Sequence, residues 1–175
     1  AYPRANCAWE KTIYARMAEE STPIVTVDRS TGLAGIGSAR SDDREGVALA
    51  VRHLTDLGHR RVVYVGASYP YYTSVMERFD TFHRSARDAG LQVFESIDPQ
   101  HLSDALPDLL RRPDRPTALC CFSDFNALDA LDVINDMGLR VPEDISITGY
   151  GDAIPKMKYH RTPLTTVSQS PNAIG

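Results

Sequence analysis

The sequence has little of what would decide its chemistry at once. Cysteine is scarce, three in 175 residues, and there is a single tryptophan. The cysteines fall at neither metal-ligand nor disulfide-framework spacing, which excludes a stapled scaffold and fits a reducing compartment. Cys120 and Cys121 are neighbours in an apolar stretch and are expected to pack as small hydrophobes. Long apolar runs are missing. None approaches the roughly 20 residues that cross a bilayer, and the start lacks the basic-then-apolar pattern of a secretion signal. A soluble, cytoplasmic domain without membrane contact is the expectation. Positive charge is also short, with 19 basic against 23 acidic residues and a net charge of −4. The densest basic cluster, His59-Arg60-Arg61, is too small to displace counterions from a nucleic acid by itself.

Catalytic signatures are absent as well. Neither GxGxxG followed by an acidic residue, nor GxxxxGK[ST], nor GxSxG, nor HExxH occurs. His53, His59 and His83 fall in or beside expected helices, and His101 and His160 have no Cys or His partner at ligand spacing. No catalytic residue, metal or cofactor is therefore expected.

What is present is a regular alternation, in a chain long enough for one domain or for one lobe with part of a second. A helix is expected over 9–20, with Ile13 and Met17 on one face, then a short buried strand over 23–29 and a Gly-rich loop over 31–38. Val47, Ala50, Val51, Leu54 and Leu57 recur at helical spacing, and Gly58 stands where a C-terminal cap is wanted. Strands are expected at 61–67, 91–97, 117–122 and 145–150. Helices between them are marked by Val75, Phe79, Phe82 and Ala86, by 102–110, and by Phe125, Leu128, Leu131 and Ile134. A last extended piece covers 164–169. Such alternation predicts an α/β fold built on a doubly wound parallel sheet.

In open α/β sheets ligands bind beyond the carboxyl ends of the strands. That rule selects Asp28-Arg29, the loop 67–72 with Tyr69, Ile97-Asp98, the pair Ser123-Asp124, and Tyr150-Gly151-Asp152. Carboxylates, hydroxyls and rings of this kind suit a hydroxyl-rich ligand; helix capping explains Asp124 equally well. Ser74 to Glu77 reads as a capping box, which places Arg78 in a first helical turn where the macrodipole disfavours a cation. Arg78 then has either a ligand or a carboxylate partner, or it is a solvated residue paired with Glu77 or Asp80. If it serves a ligand, replacement by Lys should leave the stability of the unliganded protein nearly unchanged.

In chain order, Pro23-Ile24-Val25-Thr26-Val27-Asp28-Arg29, Ser41-Asp42-Asp43, Leu57-Gly58-His59-Arg60-Arg61, Glu77-Arg78-Phe79, Ser123-Asp124, the run 138–150 (GLRVPEDISITGY) and Pro163-Leu164-Thr165-Thr166-Val167 together resemble the effector-binding core of LacI/GalR-type transcriptional regulators over about residues 22–171. The resemblance implies a periplasmic-binding-protein-like fold. It divides the chain into a remnant of an N-terminal lobe at 1–58, a C-terminal lobe at 59–160 and a return crossover at 161–175, with strands 23–29 and 164–169 belonging to the sheet of the first lobe. It implies ligand contacts at Asp28, Arg78, Ser123, Asp124 and Gln169, to which the strand-end rule adds Asp152 and Tyr69. It also implies a homodimer with Ala127, Leu128 and Tyr159 at the interface, although the helical stripe of Leu128 with Leu131 allows ordinary core packing. The partners implied are a small sugar-like effector, and operator DNA reached only through a helix-turn-helix headpiece that this chain lacks. Two departures stand out. The usual Asn-Asp pair is Ser123-Asp124, and Gly151 occupies the usual carboxylate position before Asp152. A solute-binding protein of the same fold is the alternative, and an enzyme using Asp28 or Asp124 is a distant third.

Overall fold

The computed structural model describes residues 8–20, 22–28, 30–67, 73–153 and 163–169. The elements are α1 (Ala8–Glu19), β1 (Val25–Val27), β2 (Gly37–Ala39), α2 (Asp43–Asp56), β3 (Arg61–Val65), α3 (Thr73–Asp88), β4 (Gln92–Val93), α4 (Leu102–Leu110), β5 (Ala118–Cys121), α5 (Asp124–Asp136), β6 (Ser146–Tyr150) and β7 (Thr165–Val167). A short 3-10 turn, Pro99–His101, precedes α4. The main sheet has the order β4-β3-β5-β6-β7 and every pairing in it is parallel. This is the doubly wound parallel architecture expected from the alternation.

Its strands read as unbroken apolar runs because both faces are covered. Successive side chains on a strand point to opposite faces. Val63, Val65, Leu119, Cys121 and Ile147 therefore pack against Leu102, Leu106, Ala130 and Ile134 of α4 and α5. Val62, Tyr64, Ala118, Cys120 and Tyr150 pack on the other face against Val47, Val51 and Leu54 of α2 and Phe82 of α3. Cys120 and Cys121 thus lie in different cores, and burial pushes both thiols up, Cys120 to about 11.

Several expectations need correction. Residues 31–38 are not all loop, since Gly37–Ala39 forms β2 and pairs in parallel with β1. Glycine and serine carry little strand signal, so this pairing had no local mark. The strand over 23–29 is not buried: Val25 and Val27 are 68% and 60% exposed, and only Thr26 is covered. The strand over 91–97 shrinks to Gln92–Val93 with an isolated bridge from Ile97 to Val65. Residues 165–167 hydrogen-bond along β6 in the main sheet, where the resemblance placed 164–169 in the sheet of another lobe. The helix before residue 58, α2, shares the core of the units that follow it.

At the amino end of the sheet the His59 ring bridges β5 and β6. Its Nδ1 lies 2.9 Å from Thr117 Oγ1, and its Nε2 lies 3.1 Å from Ser146 Oγ. Burial first, and then the charge of His53, hold its pKa below the usual 6.5. A depressed folded pKa means that the neutral ring's contribution is complete above the unfolded value and is lost as pH falls through the folded one. The melting temperature should therefore fall as pH drops below the unfolded value of 6.5 and on through the lower folded one, and His59→Gln should show a smaller drop. His83, also lowered by burial, contributes in the same direction and will remain in the variant. An unchanged pH profile in His59→Gln would remove His59 from this role.

Candidate functional site

The strand order reverses between β3 and β5, with β4 to one side and β6 and β7 to the other. The carboxyl ends of these strands form the crevice in which doubly wound sheets bind ligands. Arg78, from α3, lies across it. Nε donates to Asp43 Oδ1 at 2.7 Å and Nη1 donates to the Phe122 carbonyl oxygen at 3.0 Å. The guanidinium carbon stands 3.8 Å from the centre of the Tyr150 ring and 4.8 Å from that of Phe122. Arg78 is 6% exposed and Asp43 3%.

Each partner has a local reason to be there. Asp42 caps α2 by accepting from the N–H groups of Arg44 and Glu45, so Asp43 is the first helical residue, where the dipole favours a carboxylate. A Cβ on Gly46, one turn on, would strike the Tyr150 hydroxyl and ring. Glycine is what lets that ring lie beneath the guanidinium. The Tyr150 phenol is raised by its burial and by the nearby Asp43 carboxylate, and stays neutral.

The capping box is not formed. α3 already runs from Thr73, so Ser74 lies inside its first turn and Arg78 falls in the second. Glu77 instead pairs with Arg40 at 2.6 Å and Arg44 at 3.4 Å. The dipole argument for Arg78 fails with the box. The residue is neither solvated nor paired with Glu77 or Asp80; its partner is Asp43. The expectation that Arg78→Lys leaves stability unchanged is corrected accordingly, because the side chain is buried in an ion pair.

Ser123 is the N-cap of α5: its hydroxyl accepts from the Asn126 N–H and donates to Asn126 Oδ1. Asp124, 0% exposed, accepts from the Ala153 N–H at 2.6 Å and from the Thr166 hydroxyl. A Cβ on Gly149 would collide with that carboxylate and with Leu164. Asp124 thus fastens α5 to β7 and to the loop after β6, the loop that carries Asp152 at a positive φ of 55°. Gln169 Nε2 donates to Ser41 Oγ at 3.3 Å, and its carbonyl oxygen accepts from the same hydroxyl. Asp28 ends β1 on the separate two-stranded sheet, and its N–H donates to the Ala39 carbonyl oxygen. Tyr69 and Tyr159 lie outside the described residues. Ala127 is in the core, and Leu128 lines a mostly apolar cavity of about 460 Å³ with Leu54, Leu131, Ile147 and Leu164.

Tyr150 stood among the strand-end residues, whereas Asp43 and Phe122 were not singled out from the sequence as site residues, although Asp43 stood in a quoted motif. An acidic residue directly after an N-cap Asp was the available signal. Among the described residues no cluster of three His, Cys, Asp or Glu side chains could hold a metal ion. The crevice offers oriented donors and ring faces, which is the chemistry of binding.

Three comparisons bear on this geometry. The family described as periplasmic binding protein-like domain matches residues 51–175. The HTH-type transcriptional repressor PurR of Aliivibrio salmonicida (strain LFI1238) is 35% identical over 159 residues, covering 87% of this chain and 47% of that protein. The crystal structure of a LacI transcriptional regulator from a Rhodococcus species superposes with TM-score 0.73 at 32% identity, covering 94% of this chain and 61% of that one. A dimeric Lac repressor with a C-terminal deletion superposes with TM-score 0.78 at 26% identity, again over 94% and 61%. The chain spans less than half the length of the PurR repressors it matches.

Removing one member of a buried ion pair leaves the other uncompensated and typically costs about 3–5 kcal/mol. Arg78→Met should lower the stability of the unliganded protein by about that amount, measured by chemical denaturation near neutral pH. A loss below about 1 kcal/mol would mean that water already solvates the pair, as at an exposed site.

Proposed function

This chain belongs to the periplasmic-binding-protein-like domain family, and from that we propose that it is the effector-sensing core of a LacI-type transcriptional repressor in the cytoplasm. The observation that carries the reading is the crevice at the reversal of strand order, where Arg78 is fixed between Asp43, Phe122 and Tyr150. The kinship with PurR repressors and with LacI-family structures supports it. The effector is a small polar ring compound, a sugar or a nucleobase. Arg78 contacts it, with Ser123, Gln169 and Asp152 at the rim and Tyr69 in the adjoining loop; Asp28 approaches from the small sheet. Asp124 serves the same site as a buried tie.

Two copies associate through α5, with Leu128 and Tyr159 near the two-fold axis and Ala127 supporting the helix from the core, and operator DNA is held by a helix-turn-helix segment outside this chain. The effector acts by binding two arrangements of the protein unequally, which is the only way a ligand shifts such an equilibrium.

The test is DNA binding by the full-length protein to its own upstream region, with and without hypoxanthine, guanine, D-ribose and D-galactose. One of these compounds should change DNA affinity by about 5- to 150-fold, the usual range of coupling between sites. Absence of any DNA binding would refute the repressor reading. DNA binding that no sugar or nucleobase alters would refute the effector class.

A further inference from the structure

Three arginines converge where the start of α2 meets the second turn of α3, and each has a carboxylate. Arg40 and Arg44 share Glu77 near the surface. Arg78 has Asp43, and this pair alone of the three is buried on both sides, with side chains 7% and 4% exposed. Nε and Nη1 of Arg78 are committed to Asp43 and to the Phe122 carbonyl oxygen, and the two aromatic rings lie against its guanidinium. Among the described residues none accepts from Nη2. What Arg78 offers the crevice is therefore one edge of a planar donor whose charge is already cancelled by a carboxylate in contact with it.

A ligand meeting that edge gains hydrogen bonds. An anionic group meeting it gains little more, because the Asp43 carboxylate in contact with the guanidinium offsets most of the attraction and the anion must leave water to come there. Resting on the reading that Arg78 contacts the effector, we propose that Asp43 is a specificity-determining residue: by neutralising and orienting Arg78 it restricts the crevice to effectors uncharged at this end, polar rings with hydroxyl or ring-nitrogen acceptors, and turns away phosphorylated or carboxylated ones. Asp43 acts on the ligand through Arg78 and is a positioning residue. Its place at the start of α2 also lets it set the angle of the guanidinium over Tyr150.

Inorganic phosphate is the probe, compared with chloride at equal ionic strength so that general screening cancels, on the full-length protein by calorimetry and thermal melting. In the unmodified protein, phosphate should give no binding or stabilisation that disappears in Arg78→Gln. Asp43→Asn leaves a buried cation without its counter-charge, so phosphate should bind it about ten-fold or more tightly than it binds the unmodified protein. That gain should vanish in the double variant Asp43→Asn/Arg78→Gln, and Asp43→Glu should restore indifference to phosphate. A merely structural Asp43 would lower stability in every buffer alike and show no gain in phosphate binding. The proposal is overturned by Arg78-dependent phosphate binding in the unmodified protein, a measurement that needs no Asp43 variant to fold. It is overturned equally by a folded Asp43→Asn without the gain. No effector or DNA enters the experiment, so a failed effector screen counts against the proposed function and leaves this result readable.

Discussion

The buried contact of Arg78 with Asp43 is the interaction on which the carboxyl end of the sheet depends. It joins α2 to α3 directly, and through the Phe122 carbonyl and the Tyr150 ring it reaches the ends of β5 and β6. Burying two charges is costly, and the pair persists only because its remaining hydrogen-bonding capacity and its flat faces are used. Those needs propagate outward. The Tyr150 ring must lie under the guanidinium, so the residue it covers on α2 must be Gly46. The carboxylate must start a helix, so the residue before it must cap, and Asp42 does.

A second buried carboxylate, Asp124, does the same work one strand further on. It takes the Ala153 N–H and the Thr166 hydroxyl, tying the loop after β6 and the edge strand β7 to the first turn of α5. Ser41 and Gln169 then bond the segment that enters α2 to the segment that leaves β7. These bonds pin the carboxyl end of the sheet. The opposite end is held by the His59 ring between Thr117 and Ser146, and by Arg61 and Arg115, which donate to the Arg115 and Asp144 carbonyl oxygens. Any rearrangement that separates the entering and leaving segments has to break bonds at the crevice itself.

The tyrosine at the heart of the α3 side shows the limit of local explanation. The Tyr64 ring packs against Phe79 and Phe82, yet its buried hydroxyl has no hydrogen-bond partner among the described residues, and burial raises its pKa. The site beside it, between Gly66 and Phe122, is too tight for a Cβ on Gly66.

Features that depend on neighbours along the chain were legible without the fold. The apolar periodicities marked every helix from α2 to α5, the main strands β3, β5 and β6 fell within the expected ranges, and Gly58 follows α2 at positive φ as its placement implied. Parallel pairing followed from strand–helix alternation, because short helical crossovers permit little else. What only the tertiary structure decided was the pairing of polar groups. Asp43 and Arg78 are 35 residues apart, and Asp124 and Thr166 are 42 apart. Local rules pointed Glu77 to a capping box, but Arg40 and Arg44, brought in from the far side of β3, captured its carboxylate. Short strands such as β2 and β4 were also beyond local reading, since a few residues carry no periodicity and exist as strands only through the partner beside them. Burial patterns are repeated along a chain and so can be read from it. A hydrogen bond between distant residues is made once, by the crossovers that bring its two ends together.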